Sequence, residues 1–126
     1  MKKDIIETKN APKPIGPYSQ AIASGGLVFV SGQIAIDPKS GDVINTSITE
    51  ETKQVMQNIS AILASEGLGF SDIVKTTIFL TNMEDFTEVN ATYGSFFIGD
   101  FPARETVEVS RLPKNVRVEI SVIASR

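Results

Sequence analysis

The feature that most constrains the fold is a helical repeat of apolar residues that begins at Ile48 and lies between segments with the period of β-strands. The repeat has the i, i+3, i+4, i+7 spacing of a helix with one buried stripe. Its members are Ile48, Val55, Met56, Ile59, Ile62 and Leu63. Ser47 and Glu50 are spaced for a capping box at its start, and Gly67 is placed to end it. The pattern predicts one amphipathic helix.

A second amphipathic helix is predicted to start near Asn82 and Asp85, which are favourable N-terminal residues, and to run to about Gly99. Its apolar stripe consists of Phe86, Val89, Tyr93, Phe96 and Phe97. Asn90 lies inside this stripe. An unpaired buried amide costs about 1–3 kcal/mol, so we expect the Asn90 side chain to bond to backbone.

The remaining periodic segments alternate as strands do, and turn residues separate them. Gly25-Gly26 forms the tight two-residue turn of a β-hairpin, a second turn lies at residues 37–41, and a third lies at residues 112–115. The predicted strands are residues 21–24, 27–31, 73–81, 105–109 and 116–125.

This order of elements predicts an α+β fold, a single domain over residues 1–126 in which two helices pack on one face of a mixed sheet. On the last strand, alternation turns Val118, Ile120, Val122 and Ala124 toward the helices. Glu119 and its alternate neighbours then point to the other side. Arg104, Thr106 and Glu108 share a face of the preceding strand, and we expect them on the helix-free side as well.

The composition limits the chemistry, because none of the 126 residues is His or Cys. Disulfides, thiolate nucleophiles, structural zinc and the usual general base are thereby removed. No acidic cluster has the spacing of a divalent-metal cage, so a cofactor-free site is expected. The net charge is −3 and the Lys and Arg residues are scattered, so no basic patch is expected that would bind nucleic acid. No apolar run approaches the length of a membrane span. A cytoplasmic protein is the default expectation.

Arg104 and Glu119 are the groups best suited to chemistry. A guanidinium grips a carboxylate through two parallel hydrogen bonds, and a carboxylate orients or deprotonates water. Together they suggest hydrolysis of a small carboxylate-bearing molecule. The alternative for Arg104 is a surface or inter-subunit salt bridge, and a glutamate between Val118 and Ile120 is also typical of any half-exposed strand. Burial of Glu119 at an interface would raise its pKa and let it transfer protons.

Three further residues have competing interpretations. Tyr18 follows the bend at Pro17, where its hydroxyl either faces a pocket or caps the loop. Ser31 has no His to activate it, so a serine-hydrolase interpretation is poor. Gly32 is the better candidate, since a glycine lets a ligand approach the backbone amide.

Several segments in order resemble the RidA (YjgF) family over nearly the whole chain. They are residues 15–20 (IGPYSQ), 30–34 (VSGQI), 74–80 (VKTTIFL), 86–93, 102–104 (PAR) and 118–120 (VEI). The resemblance implies a chorismate-mutase-like subunit in a homotrimer with a cleft at each subunit boundary. It also implies hydrolysis of 2-imino acids, released as enamines by pyridoxal-phosphate dehydratases, to 2-keto acids and ammonia.

The same resemblance implies roles for individual residues. Arg104 would bind the substrate carboxylate, Glu119 would position the attacking water, and Tyr18 would bound the pocket. Its wall would include Ser31, Gly32 and Asn90. Thr106 stands where many members have Cys, which puts substrate preference in doubt. Two alternatives to a deaminase stay open: a non-catalytic trimer that binds a small carboxylate and acts as a regulator or chaperone, and an endoribonuclease.

Overall fold

The computed structural model describes residues 2–126, which form six strands and two α-helices. The strands are β1 (Asp4–Ile6), β2 (Ala21–Ser24), β3 (Leu27–Gln33), β4 (Ile73–Leu80), β5 (Ala103–Glu108) and β6 (Val118–Ser125). The helices are α1 (Ile48–Ala64) and α2 (Phe86–Gly94). The α+β class and the order of the predicted elements are confirmed, while the short strand β1 was not predicted.

All six strands belong to one sheet with the order β1-β2-β3-β6-β4-β5. Neighbouring strands are antiparallel except β4 and β5, which are parallel and are joined through α2. Parallel neighbours need such a crossover, because a tight turn reverses the chain. In this strand order the last strand, β6, lies in the interior of the sheet, and β5 lies at an edge.

The hairpin turn at Gly25-Gly26 and the two ends of α1 have the residues and geometry that were predicted. Gly25 and Gly26 have φ angles of 60° and 80°, the left-handed pair that a tight hairpin of this kind requires. Ser47 caps α1 by accepting a hydrogen bond from the Glu50 amide at 3.1 Å. Gly67, with φ at 71°, lies in the turn after the helix.

The predicted end of the second helix was wrong, because α2 stops at Gly94 instead of Gly99. The Ser95 hydroxyl bonds back to the Thr92 carbonyl at 2.6 Å, and the chain then leaves the helical path. Phe97 continues the apolar spacing in sequence, but it reaches the Tyr93 ring from a turn, with ring centroids 4.8 Å apart. The Phe97 ring can therefore pack on Tyr93 although the chain is no longer helical at Phe97.

The core lies between the helices and one face of the sheet, as predicted. On β6 the side chains of Val118, Ile120, Val122 and Ala124 are buried, and their neighbours along the strand are half-exposed. The apolar stripe of α1 covers this row. Full burial of each aliphatic side chain of this size contributes about 1.5–3 kcal/mol.

A buried carboxylate fastens α1 to the beginning of β6. Glu51 is fully buried and accepts hydrogen bonds from the Arg117 amide at 2.7 Å, the Arg117 Nε at 2.8 Å and the Val118 amide at 3.2 Å. These bonds satisfy the charge that burial would otherwise penalise. They also hold the backbone directly before Glu119.

The predicted face of β5 was wrong, since Arg104, Thr106 and Glu108 lie on the helix side of the sheet. In the register of the parallel pair they stand opposite Thr76, Ile78 and Leu80, which are buried beneath the helices. Directly paired residues project from the same face. Alternation along one strand gives its two sets of side chains, but the register with β4 decides which set meets the helices.

Candidate functional site

Arg104 lies against two aromatic rings of α2. Its Cζ atom is 5.2 Å from the centroid of the Tyr93 ring and 5.8 Å from that of Phe86, within the range of a cation–π interaction. Within residues 2–126, no carboxylate comes within 4.0 Å of its guanidinium. The side chain is thus held by aromatic packing, and no ion pair occupies its N–H groups.

An open cavity of about 260 Å³ adjoins this guanidinium. We call it the arginine pocket, and its lining consists of Asn90, Tyr93, Gly94, Phe101, Pro102 and Arg104. The expected bond from Asn90 to backbone is not found among the described residues, so that prediction was wrong. Asn90 lines the arginine pocket.

Tyr93 connects the arginine pocket to the core. Its ring is buried, and its hydroxyl donates a hydrogen bond to Thr76 Oγ1 at 2.9 Å. Burial raises the pKa of Tyr93, although its bond to Thr76 and the charge of Arg104 act in the opposite direction. The phenol therefore stays protonated at neutral pH and serves as a donor.

Glu119 occupies the other face of the sheet, beside Gly32 of β3. A Cβ atom on Gly32 would stand 2.6 Å from Glu119 Oε2 and 2.7 Å from its Cδ, so the carboxylate occupies space that any other residue at position 32 would fill. Partial burial raises the pKa of Glu119, and no charged neighbour opposes that shift. This pair forms the centre of what we call the glutamate patch, which also includes Tyr18.

Tyr18 and Ser31 both bond to nearby backbone. The Tyr18 hydroxyl accepts a bond from the Ile15 amide at 3.1 Å, so it does cap its loop, yet it also lines a small cavity with Gly32. Its own proton remains available to a ligand. Ser31 donates its hydroxyl to the Ser19 carbonyl at 2.5 Å. That bond occupies the hydroxyl proton and agrees with the poor prospects of Ser31 as a nucleophile.

Thr106 carries a polar atom that the chain leaves unsatisfied. Its Oγ1 is buried and has no hydrogen-bond partner among the described residues. Thr106 follows Arg104 by two positions on the same face of β5. Buried hydroxyls in folded proteins normally have partners, so Thr106 Oγ1 is an exception within the described chain.

The predicted site residues thus fall into two groups that one chain does not bring together. Arg104, Asn90 and Thr106 lie on the helix side, whereas Glu119, Gly32 and the nearby Tyr18 and Ser31 belong to the opposite side of the sheet. Sequence analysis also missed Tyr93 and Phe101 as pocket residues. A tyrosine one turn after Asn90 on an otherwise aliphatic and phenylalanine stripe was the available signal.

Two further observations concern the described part of the chain. No group of three acidic, His or Cys side chains between residues 2 and 126 is arranged to hold a metal ion. Neither α1 nor α2 has the length and hydrophobicity that a membrane-spanning helix needs.

Known proteins resemble this chain over almost its entire length. Residues 8–126 match the family model described as Endoribonuclease L-PSP. A RutC family protein of Pyrococcus horikoshii is 51% identical over 122 residues, which is 97% of each chain. A 2-iminobutanoate/2-iminopropanoate deaminase of Salmonella typhimurium is 48% identical over 124 residues, 96% of each chain.

Solved structures share the fold as well. The YjgF gene product of E. coli has a TM-score of 0.93 and 46% identity over 98% of each chain. E. coli TdcF with bound serine has a TM-score of 0.93 and 40% identity, again over 98% of each chain. The six-stranded mixed sheet with two helices on one face places this chain among the small α+β proteins. Within that class, this chain belongs to the YjgF/RidA family.

Proposed function

We propose that this protein is a cofactor-free deaminase that hydrolyses 2-iminobutanoate and 2-iminopropanoate to 2-keto acids and ammonia, and so protects pyridoxal-phosphate enzymes. The observation that carries the proposal is the state of Arg104, whose guanidinium is ordered by two rings and has no carboxylate partner in the described chain. A small 2-imino acid supplies that carboxylate. The similarity to the Salmonella typhimurium deaminase supports the choice of reaction.

The working enzyme in this proposal is a homotrimer in which the arginine pocket of one subunit meets the glutamate patch of the next. The separation of Arg104 and Glu119 on opposite faces supports an assembly, since hydrolysis needs both groups at one substrate. The helix-free face also exposes Ile5, Phe29 and Val107, a set of large apolar side chains that a neighbouring subunit would cover.

The reaction begins with the protonated imine held by Arg104 through its carboxylate. Glu119 takes a proton from water while the water oxygen forms a bond to the imine carbon, which gives a carbinolamine. Glu119 then passes that proton to the nitrogen, the carbon–nitrogen bond breaks with its electron pair on nitrogen, and ammonia leaves. Loss of the hydroxyl proton completes the carbonyl of the 2-keto acid.

The remaining site residues have supporting roles in this scheme. Tyr18 donates its free hydroxyl proton to the substrate, and the Gly32 amide allows close approach of the ligand. Asn90 and Thr106 complete the polar wall near Arg104, while Ser31 holds the loop through its bond to the Ser19 carbonyl. Imines already hydrolyse in water, so positioning and proton transfer suffice.

The test generates 2-iminopropanoate in place from serine with a dehydratase and measures the imine that semicarbazide traps. Wild-type protein should reduce trapping, and Arg104→Ala and Glu119→Gln should not. Arg111→Ala and Glu88→Gln are the matched controls, because they remove the same charges from exposed positions. No effect of the wild type on several imino acids would overturn the deaminase.

A non-catalytic carboxylate-binding trimer is the second candidate, since the free guanidinium of Arg104 alone is enough for binding. Glu119→Gln distinguishes the two functions. A binder keeps its affinity for 2-oxobutanoate in this variant and shows no imine hydrolysis in the wild type. An endoribonuclease is tested in parallel by incubation with single-stranded RNA, which we expect to remain intact.

A further inference from the structure

A guanidinium offers two different surfaces for interaction. Its flat faces stack on aromatic rings, while its N–H groups point outward in the plane of the group and bond to carboxylates. Arg104 contacts the rings of Tyr93 and Phe86, and no carboxylate between residues 2 and 126 forms an ion pair with it. An ion pair would order the side chain too, but it would occupy the donors that a bound carboxylate needs.

Tyr93 is the better ordered of the two rings beside Arg104. It is only 3% exposed, and its hydroxyl is anchored on Thr76 Oγ1 at 2.9 Å. Phe86 is only partly buried and has no polar atom that could fix its orientation. The long axis of the Tyr93 ring is therefore held at both ends, by the helix backbone and by the hydrogen bond to β4.

Thr76 is connected to Arg104 in two ways. It is fully buried and stands directly opposite Arg104 in the parallel pairing of β4 and β5. One path joins Arg104 to Thr76 through the sheet, and the other joins them through the Tyr93 ring and hydroxyl. The ring that contacts the guanidinium is thus anchored on the strand that pairs with β5.

We infer that Tyr93, anchored by Thr76, is a positioning residue that holds the Arg104 guanidinium ready for two-point binding of a substrate carboxylate. This inference rests on the proposed function, because it assigns a role in binding 2-imino and 2-keto acids. The hydrogen bond to Thr76 fixes the position of the Tyr93 ring, and contact with that ring fixes the position of the Arg104 guanidinium. Such preorganisation removes part of the ordering cost that a mobile arginine incurs on binding.

Core packing alone is the competing explanation for Tyr93, and kinetics separates the two roles. Arg104 binds the carboxylate in both the ground state and the transition state, so poorer positioning raises KM with little change in kcat. A purely structural defect lowers the fraction of folded enzyme, which lowers the apparent kcat and leaves KM unchanged. The dissociation constant for 2-oxobutanoate gives a second readout that does not depend on turnover.

The experiment compares three variants with the wild type by imine kinetics, calorimetric titration with 2-oxobutanoate and thermal unfolding. Tyr93→Leu removes the ring and should raise KM and Kd about five- to thirtyfold. Tyr93→Phe keeps the ring and removes the anchor, and a rise of about two- to fivefold is expected. Phe97→Leu is the control, since that ring contacts Tyr93 but does not face Arg104.

A double variant separates an effect on ligand binding from a loss of stability. Thr76→Val with Tyr93→Phe replaces both partners of the hydrogen bond by apolar groups of similar shape, which restores much of the stability that either single change removes. We expect the double variant to unfold near the wild-type temperature and still to bind 2-oxobutanoate two- to fivefold more weakly, on the order of one lost anchoring bond.

The possible failures are distinguishable. If wild-type protein neither hydrolyses imines nor binds 2-oxobutanoate, the proposed function itself is wrong. If the wild type binds and Tyr93→Leu binds equally well, the positioning role is wrong and the deaminase stands. A Tyr93→Phe variant with lower kcat and unchanged KM would identify a purely structural residue and overturn the inference too.

Discussion

The Glu119 carboxylate lies where a side chain on Gly32 would stand, with Oε2 only 2.6 Å from the position of the missing Cβ atom. A glycine is required here by close approach and not by an unusual backbone angle. The carboxylate is the far end of a flexible side chain, so a larger residue at position 32 can displace it without breaking the sheet.

Gly32→Ala should therefore separate activity from stability. We expect imine hydrolysis to fall about 10- to 100-fold, as for loss of a positioned acid–base group, while the free energy of unfolding changes by less than about 1 kcal/mol. Gly69→Ala is the control, because nothing lies within 4 Å of its added Cβ. A Gly32→Ala enzyme with full activity would show that Glu119 does not act from this position.

The pH dependence of stability should change when Glu119 is replaced. Burial raises the pKa of Glu119 in the folded protein, so in the window between its unfolded and folded pKa values the native state binds more protons. Stability from this group is complete below the unfolded pKa and is lost as pH rises through the folded pKa. Glu119→Gln should consequently be more stable than wild type at pH 7 and should lose this advantage near pH 4 (about the unperturbed pKa).

Denaturant unfolding of both proteins across this range, at one protein concentration, measures the difference. Hydrolysis should change in the opposite direction, since the deprotonated Glu119 is the base and activity rises with pH through the raised pKa. A parallel rise of stability and activity in the wild type, absent from Glu119→Gln, would contradict the assignment.

Mixing two inactive variants tests whether the active site spans two subunits. When Arg104→Ala and Glu119→Gln chains are coexpressed in equal amounts, each boundary of the proposed trimer would draw its Arg104 and Glu119 from two different chains. About one quarter of the boundaries in a random closed trimer then combine two intact groups, so about one quarter of wild-type activity should return. If the mixture stays as inactive as its components, both groups belong to the same chain's site.

Two threonines with buried hydroxyl groups on the helix face should respond differently to the same change. Thr76→Val strands the Tyr93 hydroxyl, and we expect a loss of about 1–3 kcal/mol in the free energy of unfolding. Thr106→Val removes an Oγ1 atom without a partner in the described chain, and stability should stay equal or rise by up to about 1 kcal/mol. Chemical denaturation of the two variants decides this comparison.

Loss of the Glu51 carboxylate should destabilise the fold strongly. Glu51→Ala leaves the Arg117 guanidinium and the Val118 amide without their buried acceptor, so we expect a loss of about 3–5 kcal/mol. Glu50→Ala, at the exposed neighbouring position, should cost less than about 1 kcal/mol. Thermal and denaturant unfolding of these two variants provide the test.

Local patterns were sufficient for much of this fold. The stripe from Ile48 to Leu63, the Gly25-Gly26 turn and the alternation of β6 each depend on neighbours in the chain, and each is found as predicted. A chain without His or Cys has few other kinds of group for proton transfer and carboxylate binding, and Arg104 and Glu119 stand in segments that resemble the family. Their contacts could not be obtained from the sequence.

Two of the failures share a physical cause, because long-range pairing decides them, and the third has a local cause. Which face of β5 meets the helices depends on its register with β4, and the sequence of β5 is compatible with either face. The role of Tyr93 depends on a hydrogen bond to Thr76, seventeen positions earlier. The early end of α2 depends on local competition by Ser95, while the aromatic spacing alone favoured a longer helix.

The pairing of β5 with β4 also sets the sign of the charge in the arginine pocket. Glu105 follows Arg104 directly, so a slip by one residue would exchange a cation for an anion and turn a carboxylate receptor into a carboxylate repellent. On the opposite face, Glu105 bonds to Lys75 at 2.9 Å and to Thr77 at 2.5 Å, and both contacts exist only in the observed register. The two contacts of Glu105 therefore favour the register that places Arg104, and not a carboxylate, at the pocket on the other side of the sheet.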